Sequence, residues 1–163
     1  MSFSDPDTSV SGIKIGDANS TTAIIGENEK YYQDEVYHYY SKNKNEILSM
    51  VTHPGDVNYS MSIFNVRSAG KKKYPYKTLN IEHFKTEKGI MLGLNKEQII
   101  SKLGSCYVVK DSAKGYIELY YSIEAPNDSK TKLLESQNMP IYYASYILRN
   151  DKLQKFEFGF EYP

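Results

Sequence analysis

Two glycine-framed stretches, "GIKIGDANSTTAIIG" at residues 12 to 26 and "GIMLGLNKEQIISKLG" at residues 89 to 104, constrain this chain more than any other feature. Gly12 matches Gly89 and Gly16 matches Gly93 at a constant offset of 77 positions, and Gly26 matches Gly104 after one inserted residue. Further on, "EVYHYYS" (35–41) resembles "YIELYYS" (116–122), and "IFNVR" (63–67) resembles "SYILR" (145–149), in unchanged order. Similarity that keeps its order at nearly half the length of a 163-residue chain reads as one supersecondary unit used twice. The expected organisation is a flexible polar tail over 1–11, a first repeat over 12–86 and a second over 87–163.

Local chemistry fills in each unit. Asn95 is a good N-cap, and Gln98 stands three residues on, where its side chain reaches back to the cap. Ile99, Ile100 and Leu103 form a stripe at helical spacing, and Gly104 suits the left-handed position after a last turn, so a helix is expected over about 96–103. In the first unit Asp17 caps and Ala23, Ile24 and Ile25 form the stripe, but "NSTT" has poor helix propensity and predicts a shorter or frayed helix.

After each helix the period changes from 3.6 to 2. In "YIELYYSI" Ile117, Leu119, Tyr121 and Ile123 alternate with Tyr116, Glu118, Tyr120 and Ser122, and in "DKLQKFEFGFEY" Phe156, Phe158 and Phe160 oppose Lys155, Glu157 and Gly159. Asn150 and Asp151 suit a tight hairpin turn before the last strand, and "SAGKKKYPY" (68–76) is expected to open the equivalent hairpin of the first unit. "NEILSMV" (45–51) and "SKTKLLES" (129–136) read equally as short helices or extra strands. The fold class expected is α+β: two tandem helix-plus-antiparallel-sheet repeats, with the helices on one sheet face and the other face left to solvent.

Twenty Lys plus Arg balance twenty Asp plus Glu, so no global field draws nucleic acid or anionic lipid. No apolar run approaches the roughly 20 residues of a membrane-spanning helix. The one cysteine, Cys106, has no partner for an internal disulfide and reads as a small buried residue. His38, His53 and His83 share no metal-ligand spacing, so no metal and no cofactor is expected. Alignment of the repeats sets His38 opposite Leu119, on the apolar side of its strand, and His53 falls in the turn-like "THPGD". No nucleophile elbow appears, and the glycines of "GIKIG" and "GIMLG" fit neither a dinucleotide fingerprint nor a phosphate loop, so no catalytic residue is assigned. "KKKYPYK" (71–77) has the residue types of a phosphate-backbone binder, but a solvated loop is the commoner use of such a run and no nucleic-acid partner is expected.

What remains is tyrosine, 16 of them with no Trp. Strand alternation puts Tyr37 and Tyr39 in the first unit, and Tyr116, Glu118 and Tyr120 in the second, opposite the aliphatic stripe. Tyrosines grouped on an open sheet face make a protein-binding surface, because each gives large area at low entropic cost.

The "GIMLGLNKEQIISKLG" stretch is similar to the opening "G-M-T-x-x-x-V-x-x-x-L-G" of the SmpA/OmlA-type outer-membrane assembly lipoproteins. A tandem pair of such units in a chain of this size resembles the beta-lactamase inhibitor protein family. The resemblance rests on Gly89, Gly93, the Ile99/Ile100 stripe and Leu103-Gly104, with Gly12, Gly16 and Gly26 as a weaker copy. It implies short helices followed by an antiparallel sheet, used twice, and an open sheet face available to a partner. The chain departs from the inhibitors in having no disulfide-forming pair and no Trp, so inhibition of a lactamase is not carried over.

The function expected is thus a non-catalytic protein-binding module of a bacterial cell envelope. Two alternatives accompany it: a small-molecule binder or enzyme with its site between the repeats, and a cytoplasmic inhibitor- or immunity-type interaction protein. The start, "MSFSDPDTSVSG", lacks a basic n-region and an apolar h-region. An extracytoplasmic setting is expected if a leader has been removed ahead of it, and a cytoplasmic one otherwise.

Overall fold

Strands, rather than helices, carry the burial. The computed structural model describes residues 6–27, 36–53, 58–113, 115–124 and 133–161. In chain order these hold β1 (Ser9–Val10), β2 (Ile13–Lys14), α1 (Ala18–Ile25), β3 (Val36–Tyr40), β4 (Glu46–Thr52), β5 (Met61–Ser68) and β6 (Lys77–Thr78). They continue with α2 (Lys96–Leu103), β7 (Val108–Ala113), β8 (Tyr116–Glu124), α3 (Leu133–Gln137), β9 (Ile141–Arg149) and β10 (Lys152–Glu161). No helix among the described residues is long and apolar enough to cross a membrane.

Eight strands form one continuous sheet in the order β6-β3-β4-β5-β10-β9-β8-β7, antiparallel except for β6 on β3, while β1 and β2 pair separately. The meanders β3-β4-β5 and β8-β9-β10 meet where β5 and β10 pair, with Phe158 opposite Phe64 and Phe156 opposite Val66. The expected α+β arrangement of helix-plus-sheet repeats is corrected by this sheet. The chain is mostly β, its sheet is mixed and shared, and the three helices among the described residues span only 8, 8 and 5 residues. The physical reason lies at the seam: β5 and β10 end their meanders with backbone groups that need partners, and each supplies them to the other.

Register sorts the side chains. Leu48, Met50, Phe64, Val66, Phe156, Phe158, Tyr146, Ala144, Leu119 and Tyr121 occupy one face and are buried, in one cluster with Ile99 and Leu103 of α2 and Leu134 of α3. Burying a large apolar side chain is worth about 1.5–3 kcal/mol, so this cluster dominates the fold. Helix α2 has its capping box, Asn95 accepting from Gln98 N–H and the Gln98 side chain accepting from Asn95 N–H, each at 2.9 Å. Helix α1 matches it in length despite its Ser/Thr core; Asp17 caps it, the side-chain oxygen accepting from Ser20 N–H at 3.2 Å.

One open choice is resolved and two further expectations are corrected. Residues 46–52 form a strand, β4, at the heart of the first meander, and 133–137 a short helix, while 129–132 lie outside the described residues. Residues 69–76 open no hairpin; they cross the open face of the first meander and lead into β6 on the outer edge of β3. Residues 6–11, assigned to a flexible tail, are docked, with Asp7 and Val10 fully buried; residues 1–5 lie outside the described ones. The Asn150-Asp151 hairpin forms as its chemistry suggests, both residues taking positive φ (49° and 59°). At the seam Gly159 is required by close approach: a Cβ there would meet the Ser62 carbonyl oxygen and the Ile63 Cα of β5.

Candidate functional site

The face opposite the core is polar and is organised by register. His38, Ser49, Asn65, Glu157, Ser145, Tyr120 and Val108 lie directly opposite one another across seven successive strands. Most of this row is hydrogen-bonded. Arg67 donates to Ser49 Oγ (2.9 Å) and to Asn65 Oδ1 (3.2 Å), and Asn65 Nδ2 donates to Glu157 Oε1 (3.1 Å). The Tyr143 hydroxyl donates to Glu157 Oε2 at 2.9 Å, and Ser145 Oγ to Glu118 Oε1 at 2.6 Å. Ser49 Oγ, which accepts from Arg67, also lies 2.6 Å from His38 Nδ1, within hydrogen-bond distance. Burial first, and the Arg67 charge second, hold His38 below the ordinary histidine range.

At the second meander this face sinks into a hollow of about 550 Å³ lined by Ile63, Glu118, Tyr120, Tyr143, Ile147 and Glu157 among others. The rings of Tyr120 and Tyr143 stack with centroids 6.4 Å apart and planes 13° from parallel. Burial first, then the carboxylates of Glu161, Glu118 and Glu124, holds the Tyr120 phenol above its usual range. Burial and then Glu157 raise Tyr143 further. Both phenols therefore stay protonated donors in a negative field, and the hollow favours cationic over anionic groups. Lys110 shows the preference within the chain, its ammonium lying 3.9 Å from the centre of the Tyr120 ring.

Of the five residues named from sequence, Tyr116, Glu118 and Tyr120 lie together on β8 on this face, with Tyr116 45% exposed under the Arg149 guanidinium. Tyr37 and Tyr39 lie on the opposite, core-facing side of β3, where Tyr39 is buried and Tyr37 packs against the core. His38 conversely points to the open face rather than the apolar one. A one-residue slip between the repeats accounts for all three, since it exchanges the faces of a strand. Every residue of "VYHYY" is tolerable on either side, and the choice is made by β4, which sets Tyr37 opposite Met50 and Tyr39 opposite Leu48.

Tyr143, Ser145 and Ile147 of β9, and Asn65 and Arg67 of β5, escaped the sequence reading. The signal for Tyr143 was the small Ala144 between two tyrosines, which marks the tightly packed face and so puts Tyr143 on the other. Glu157 and Lys155 were legible, set against the phenylalanine stripe. Among the described residues no three His, Cys, Asp or Glu side chains are grouped to hold a metal ion, and Cys106 is half-buried.

The "KKKYPYK" segment covers the open face of the first meander. Tyr74 and Tyr76 stack at 4.9 Å, Tyr76 stacks on His38 at 4.6 Å, and Lys72 lies 5.2 Å from the centre of the Tyr74 ring. Tyr74 N–H donates to the Tyr40 hydroxyl at 2.8 Å. The tyrosines that a nucleic-acid base would stack on are thus engaged with the chain itself. Compared with protein-family models, with curated proteins and with solved structures, the chain matches none of them.

Proposed function

We propose that this chain is a non-catalytic protein-binding module of a bacterial cell envelope, which engages its partner through the open face of the second meander. The observation that carries the reading is the hollow, a concave site walled by the stacked Tyr120 and Tyr143. Rigid aromatic anchors in a recess are what hot spots of protein interfaces are made of. Glu118, Glu157 and Glu161 outnumber Lys155 around it, which suits a partner loop that presents a basic side chain. The envelope setting is supported by the likeness of residues 89–104 to the assembly lipoprotein motif.

A photo-crosslinking residue at Ser122, exposed on the open face, and another at Glu97, exposed on α2, test this in the source cell. A specific protein adduct from position 122 and none from position 97 is expected. No adduct at 122, or equal adducts at both, overturns the reading.

A small-molecule site is the second reading. The volume of the hollow lies in the range of ligand pockets, and its polar groups converge on one space. In that case a low-molecular-weight extract of the source cell, free of protein, shields Tyr120 and Tyr143 from nitration.

A further inference from the structure

The N-terminal segment 6–15 is a strap fixed by two kinds of contact. On its outer side the Glu87 carboxylate accepts four hydrogen bonds, from Thr8 N–H (2.6 Å) and hydroxyl (3.1 Å) and from Ser9 N–H (2.9 Å) and hydroxyl (2.8 Å). Val10 bridges to Thr86, and Ser11 N–H donates to the Lys85 carbonyl. On its inner side Asp7 enters the core with no exposed surface. The Tyr142 hydroxyl donates to the Asp7 carbonyl and the Tyr146 hydroxyl to Asp7 Oδ2, each at 2.6 Å. Asp7 Oδ1 has no hydrogen-bond partner among the described residues.

That geometry suits a carboxylic acid better than a carboxylate, because an ionised oxygen without a donor is far costlier in apolar surroundings than a neutral one. The groups that face Asp7 come from three elements: Tyr142 and Tyr146 of β9, Tyr121 of β8, and Thr86, Glu87 and Lys88 of the segment between β6 and α2. The bonded Tyr146 hydroxyl, the Thr86 hydroxyl, which is nearby but makes no hydrogen bond to Oδ1, and the charge of Lys88 favour ionisation, and Glu87 opposes it. Burial outweighs them all and raises the carboxyl from 3.8 to about 6. Glu46, also buried, offers a contrast: Phe84 N–H donates to one of its oxygens at 2.8 Å, and His83 Nδ1 lies 2.9 Å from the other.

We propose that the strap is an acid-tightened latch, docked most firmly while the Asp7 carboxyl carries a proton and opening more often once that proton leaves. The docked strap holds the proton more tightly than the released one. Docking is therefore strongest below the released group's 3.8 and weakens as pH rises through about 6. Val10, Ile13 and Ile15, all buried, keep the strap mostly in place at every pH, so the quantity that changes is the frequency of opening.

Amide hydrogen exchange of the full chain at pH 4.5 and 7.5, corrected for intrinsic rates, reads that frequency for residues 8–15. Protection of the strap is expected to fall by about 25-fold at the higher pH, while β9 and β10 change much less. Asp7→Asn, which keeps an acceptor for Tyr146 and cannot ionise, is expected to make strap protection independent of pH. Unchanged protection in the wild type, the same pH dependence in the variant, or an equal fall in β9 and β10 overturns the proposal. If the variant does not fold, the carbon-13 titration of the wild-type Asp7 carboxyl decides: a midpoint near 6 supports the latch and one near 3.8 removes it.

Discussion

The two ends of the open sheet face have been treated differently by the same chain. Over β3 and β4 the segment that follows β5 returns across the sheet, and the residues beneath it, Tyr40 at 4% exposure and Ile47 at 1%, belong to the interior. Over β8 and β9 nothing among the described residues does this, and Tyr116 and Val108 at the far edge stay 45% and 63% exposed. Aromatic content does not separate the ends, since both are rich in tyrosine. What separates them is cover: the returning segment lays Tyr74 and Tyr76 over His38 of the sheet, whereas Tyr120 and Tyr143, stacked on each other, wall an open recess. A tyrosine-rich face is thus open to a partner only where the chain has left it uncovered.

Three substitutions probe that contrast, and the largest effect is expected where the ends are joined. Phe158 is fully buried at the seam, opposite Phe64 and Ala144, with its ring centroid 5.3 Å from that of Phe64. Phe158→Ala should cost about 3–5 kcal/mol and lower the temperature of one cooperative transition, followed by circular dichroism. Two separated transitions would show that the ends hold separate cores, and the contrast would then be between domains rather than between faces. Tyr143→Ala removes a wall of the hollow and should weaken partner binding by about 2 kcal/mol, roughly 30-fold in Kd, while the melting temperature stays within several degrees. Unaltered affinity in a titration calorimeter would place the binding surface elsewhere. Tyr76→Ala takes away the middle ring of the stack and should cost about 1 kcal/mol of stability with less than a twofold change in affinity. A larger loss of affinity would make the covered end part of the binding surface.

The sequence was informative wherever side-chain chemistry decides a local choice. Asn95 with Gln98 marked the start of α2, Asn150-Asp151 marked a hairpin, and the alternation in "YIELYYSI" assigned the faces of β8 correctly. It was silent where the choice is made by a distant strand. "VYHYY" offers no contrast between its two sides, so the face of Tyr37 and Tyr39 is settled by pairing with β4. "NEILSMV" has apolar residues at both spacings and becomes a strand because β3 and β5 flank it. The joining of both meanders into one sheet depends on hydrogen bonds between backbones about 90 residues apart, which leave no trace in composition. For the same reason Tyr143 and Asn65 of the candidate site went unseen, each placed by its neighbour Glu157.

The β5–β10 seam has a further consequence for how the molecule can be divided. Cutting the chain near residue 86 would leave each fragment with a long strand stripped of one partner, and with Phe64 or Phe158 bared beside it. Neither fragment would be a finished object. Mixed together, they would be each other's best remaining ligand, so the molecule is a natural candidate for splitting into halves that regain their shape only on meeting.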